Sequence, residues 1–244
     1  MRVFVMFVTA ILVLTSSAAK ATGFFSNEDA LFEKTIDLIR SDVESLSRLK
    51  FSKVSRAHMA FFGSSSGNAL VEFIKKRTKR IEWTETDDLV IASASNGTLW
   101  ISERYAELDQ VHRWAVLIHE SRHNESAGWN HVKCPNPYIF TFDEVSYRFP
   151  VFDEYSGTLG CDNTSDGAYG VEHAFLQSIF ETCVNCTKEM KNEATKLMFS
   201  SGYLRIINSD AATKAFIDSN AKTLNIIEEN HIFLRKAERI LNKK

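Results

Sequence analysis

The stretch that decides the reading is Trp114-Ala115-Val116-Leu117-Ile118-His119-Glu120-Ser121-Arg122-His123. On an α-helix, residues four apart sit one turn above each other, so His119 and His123 offer two imidazoles to a single point, with Glu120 beside them. Trp114, Leu117 and Ile118 give the same helix an apolar face to bury, while Val116, His119 and His123 share the other side. A catalytic zinc takes three protein ligands and leaves a fourth position for water, and a neighbouring carboxylate can remove that water's proton. The run therefore predicts a metal helix in which His119 and His123 are ligands and Glu120 is a general base.

Outward from this helix the pattern changes type. Asn27 to about Lys50 carries apolar residues at helical period, and Ala69 to Arg80 repeats that pattern after the break Gly63-Ser64-Ser65-Ser66-Gly67. Arg80–Trp83, Leu89–Ala92 and Thr98–Ile101 are short β-prone runs, and Asn96-Gly97 is a hairpin signal. They predict a small antiparallel sheet with Leu99 to Ile101 in its last strand, directly before the metal helix. Residues 136–167 are rich in aromatics and read as irregular, with one short strand. From about 168 to 244 almost everything is helix-compatible.

The fold class expected is thus α+β. Arg2 followed by the apolar run Val3–Leu14 and by Ala19-Lys20-Ala21 fits a signal peptide cleaved after Ala21, leaving 22–244 as a single domain with no stable membrane span. That predicts a secreted or periplasmic protein. The four cysteines suit an oxidising compartment; Cys183 and Cys186 are close enough to bridge locally, which leaves Cys134 with Cys161, although two other pairings are formally open. Lys and Arg total 29 against 31 Asp and Glu, so no overall charge steers the molecule to nucleic acid. The basic run Lys75–Arg80 reads as a solvated helix end. Sequons at Asn96, Asn124, Asn163 and Asn185 read as unmodified, because a glycan on Asn124 would crowd His123.

The His119–His123 run resembles the zincin metallopeptidases, in which a sheet strand beside the metal helix pairs with an extended substrate. That resemblance implies a zincin-like domain with a peptide or protein substrate bound along Thr98–Ile101. Asp166-Gly167-Ala168-Tyr169-Gly170 resembles the Asp-x-x-Tyr-Gly ending of the aspzincin signature. It implies Asp166 as third zinc ligand, Tyr169 as a catalytic group reaching the developing oxyanion, and Gly170 as a point of close helix packing. Gly157-Thr158 stands upstream, separated from Asp166 by Leu159 to Ser165.

His131 is the rival third ligand, and Asp166 on its own also reads as a helix cap. Glu172 would serve if the third ligand came from a later helix, as in gluzincins. The function expected is a zinc metallopeptidase. The alternatives are an exported non-catalytic zinc-binding or envelope-associated protein and an amide hydrolase acting on cell-wall material.

Overall fold

A computed structural model describes residues 27–84, 91–125, 129–136, 139–142, 145–148, 156–198 and 203–215. The expected signal peptide, the run from Leu89 to Val90 and the stretch 216–244 lie outside these residues. Among those described, no helix is long and apolar enough to cross a membrane.

The architecture is α+β, with helices packed around one central helix and, among the described residues, three small sheets. The helices are α1 (Asn27–Ser47), α2 (Arg56–Phe62), α3 (Gly67–Arg77), α4 (Gln110–His123), α5 (Ala168–Thr182) and α6 (Lys188–Leu197). The strands are β1 (Arg80–Trp83), β2 (Ala92–Ser95), β3 (Thr98–Ile101), β4 (Val132–Lys133), β5 (Ile139–Phe142), β6 (Val145–Arg148), β7 (Leu159–Thr164) and β8 (Ile206–Asn208). α4 is the hub: it touches α1, α3, α5, α6 and β2. Its burial runs almost all the way round, taking in Val111, Trp114, Ala115 and every residue from Leu117 to Arg122. Such a helix is fixed by its neighbours on every side, so it holds its side chains in defined positions.

The helices predicted over 27–50, over 69–80 and around the Trp114–His123 run are present, the first two within a few residues of the expected bounds. α2 is an addition, capped by Ser55, whose side chain accepts from the His58 amide. It escapes the periodicity because its seven residues bury only His58 and Phe62. α3 ends with Lys75, Lys76 and Arg77 in its last turn, the placement expected for cations at a helix C-terminus.

The first sheet corrects the expectation. Its order is β1-β3-β2, with β3 antiparallel to β2 but parallel to β1, so the sheet is mixed and β3 is its central strand. Thr98, Leu99 and Ile101 are all buried, and a strand apolar on both faces belongs inside a sheet. Its main-chain groups are bonded to strands on both sides, so Thr98–Ile101 is not a free edge for substrate. The Asn96-Gly97 turn does form, with φ of 52° and 81°, the double positive φ of a type I′ hairpin. It reaches α4: the Gly97 amide donates to Asn124 Oδ1 at 2.9 Å.

Beyond α4, residues 136–167 hold more strand than expected, with β5 paired to β6 and β7 lying between β4 and β8. β8 also interrupts the C-terminal region expected to be helical. The disulfides are Cys134–Cys161 and Cys183–Cys186.

A buried ion pair ties the helices together. Asp42, fully buried on α1, receives Arg113 Nε at 2.7 Å and Nη2 at 2.9 Å, and Tyr105 Oη at 3.1 Å. Two parallel bonds from one guanidinium make this the strong, directional form of the pair, and it sets α1 against the start of α4.

Candidate metal centre

His119 and His123 project from the last two turns of α4, and His131 meets them from the segment leading into β4. Their Nε2 atoms lie 3.2 Å apart for His119 and His123, 3.2 Å for His123 and His131, and 3.3 Å for His119 and His131. Among the described residues these three form the one group of ligand atoms close enough to share a metal ion.

The other ring nitrogen of each histidine determines what those short contacts are. His119 Nδ1 faces Glu172 Oε2 at 2.9 Å, His131 Nδ1 faces Asp162 Oδ1 at 2.9 Å, and His123 Nδ1 faces the Trp129 carbonyl oxygen. Carboxylates and carbonyls accept, so each Nδ1 carries the proton and donates it, and each Nε2 is left with a lone pair. Three lone pairs then converge at about 3.2 Å with no hydrogen between them, an arrangement that a cation relieves. Zinc–nitrogen bonds of ~2.0–2.1 Å in tetrahedral geometry put ligand nitrogens about 3.3–3.4 Å apart, which the trio matches.

Electrostatics point the same way. Burial, followed by the neighbouring His131, lowers the His119 pKa from its ordinary 6.5 to about 3. Burial, followed by the neighbouring His119 and His131, lowers that of His123 to about 4. Both rings are therefore neutral at physiological pH, the form that binds metal. Burial and then the Glu172 charge push the Glu120 carboxyl well above its usual range, while a cation nearby works in the opposite direction.

Of the three candidates for third ligand, Asp166, His131 and Glu172, the structure brings His131 to the other two imidazoles. The Asp166 carboxylate is not in the group that comes together. The residue is engaged through its main-chain carbonyl, which accepts from Arg122 Nε at 2.9 Å and Nη2 at 2.6 Å. Arg122 thus uses the variable part of the motif to hold the turn before α5, and it also lies over the Trp129 ring at 4.3 Å. Glu172 supports His119 and does not join the ligands. His173, its neighbour, is buried against the Met198 backbone, 6.2 Å from the Tyr203 ring.

Tyr169 is beside the centre. Its ring stacks on His131 at 4.9 Å and meets His119 edge-on at 4.4 Å, while its hydroxyl accepts from Arg205. Burial raises the phenol's pKa above its ordinary value of 10, so it stays protonated. Gly170 fits its expected role, since a Cβ there would lie 1.8 Å from the Ser165 carbonyl oxygen.

Two residues around the centre, Asp162 and Arg205, carry no signal in the sequence that singles them out. For Asp162 the only hint is its place directly after Cys161. Comparison with known protein families, curated proteins and solved structures finds no match to this chain.

Proposed function

We propose that this chain is an exported zinc-dependent hydrolase of the zincin type that cleaves peptide bonds. The observation that carries the reading is the convergence of three Nε2 lone pairs, from His119, His123 and His131, with Glu120 on the same helix turn. Among the described residues, three imidazoles supply the ligand atoms and leave one tetrahedral position open, as a catalytic site requires and a closed structural one does not. Two disulfides suit an oxidising compartment.

Bound there, zinc would activate a water near neutral pH and polarise the scissile carbonyl. The remaining work falls to the chain. Glu120 takes the proton from the attacking water as the carbon–oxygen bond forms, then returns it to the amine as the carbon–nitrogen bond breaks. Tyr169, held by Arg205 and kept protonated, would donate a hydrogen bond to the negative charge that develops on the carbonyl oxygen. Glu172, Asp162 and the Trp129 carbonyl fix the three rings.

The test pairs zinc analysis of the purified protein with assays on a mixed pool of unfolded peptides. About one zinc per chain is expected, and Glu120→Gln should retain the metal while losing roughly 10²–10⁴-fold in rate. A wild-type protein that takes up no zinc, or a variant as active as wild type, removes the proposal.

A further inference from the structure

We infer that Asp162 is the positioning residue that makes His131 a metal ligand, and that one carboxylate sets both the third imidazole and the tyrosine packed against it. The inference rests on the metal site proposed above. His119 and His123 need no such device, because α4 fixes them by its own repeat. His131 lies outside that helix, next to a two-residue strand whose register against β7 shifts between Val132 and Lys133.

What holds it is convergent. Asp162 is 3 % exposed; its Oδ1 accepts from His131 Nδ1 at 2.9 Å, and its Oδ2 accepts from the Tyr169 amide at 2.6 Å. Both oxygens are therefore committed, one to a ligand and one to the first turn of α5. The carboxylate also packs on Gly167, where a Cβ would lie 2.3 Å from Oδ2. Only a residue without a side chain leaves room there. Next to Asp162, Cys161 is bonded to Cys134, three residues after His131, so the ligand and its acceptor are joined by a covalent link as well as a hydrogen bond.

Asparagine at 162 cannot reproduce this, since its amide nitrogen would meet one of the two N–H donors. The experiment measures zinc affinity of the full chain by competition with a chromophoric chelator, for Asp162→Asn, His131→Ala and the double variant. Asp162→Asn is expected to weaken zinc binding about 10–100-fold. In the His131→Ala background the same change should have no further effect, because its action passes through that ring.

Equal losses in both backgrounds would reduce Asp162 to a general structural role, and unchanged affinity in Asp162→Asn would overturn the inference outright. Should Asp162→Asn fail to fold, Gly167→Ala displaces the same carboxylate from the other side and runs through the same cycle: a loss confined to the chain that keeps His131 supports the inference, and equal losses or none overturn it. Failure of the wild-type chain to bind zinc would instead overturn the proposed function, so the two ideas fail on different measurements.

Discussion

The three-histidine cluster is assembled from two regions built on different principles. On one side α4 supplies His119 and His123 from a helix buried among four others and locked to α1 through Asp42 and Arg113. On the other side His131 arrives on a short irregular segment held by a carboxylate and a disulfide. A helix positions ligands by its period and its core; a loop must be positioned by bonds made one at a time. The first region ties ligand geometry to global stability, while the second can loosen without unfolding the protein.

The sharpest way to break that comparison is to attack the helical side. Asp42→Ala leaves Arg113 and Tyr105 without their buried acceptor and should cost about 3–5 kcal/mol of global stability. Denaturant unfolding checks it. A loss below about 1 kcal/mol would show that α4 does not depend on this anchor.

Removing the staple tests the other side. Replacing Cys134 and Cys161 by serine opens a link spanning 27 residues, worth about 3–4 kcal/mol in chain entropy. Replacing Cys183 and Cys186, only 3 apart, should cost about 1–2 kcal/mol. The contrast lies in metal binding: the first pair should weaken zinc affinity and the second should leave it unchanged. Equal effects on affinity would erase the distinction between a ligand-bearing loop and the rest of the fold.

A last test is on pH. His58 and His173, both outside the trio, are buried, and that burial lowers each pKa from 6.5 to about 4. Between those values the unfolded chain binds more protons than the folded one, so stability falls as pH drops from 6.5 towards 4. Thermal melting of the metal-free protein, in which the lowered pKa values of His119 and His123 act in the same direction, should show a Tm lower by roughly 10–20 °C at pH 4.5 than at pH 7. An unchanged Tm would mean that these rings are hydrated and charged in the fold.

The same division explains what was legible in the sequence. α1, α3, α4 and the Asn96-Gly97 turn follow from short-range periodicity and from residues with special backbone preferences, and they stand as expected. His119 and His123 share that advantage. The third ligand stayed open between Asp166 and His131 because nothing local distinguishes a carboxylate that ligates from one whose carbonyl caps an arginine. The parallel pairing of β1 with β3 and the roles of Asp162, Glu172 and Arg205 depend on partners far away in the chain, where spacing carries no information. Placing Thr98–Ile101 at an edge failed for that reason: its four residues fit either position until their neighbours are known.

Asn124 has a consequence for how the protein is made. Its side-chain amide is engaged at both ends, accepting from Gly97 at 2.9 Å and donating to the Thr98 carbonyl at 3.3 Å, one residue past His123. It is also the acceptor of an Asn-x-Ser sequon. A cell that attaches sugars during translocation would load this nitrogen before the hairpin could close on it, and the metal helix would lose its clasp to the sheet. Production in a host without N-glycosylation, or with Ser126→Ala to erase the sequon while keeping the amide, preserves that clasp.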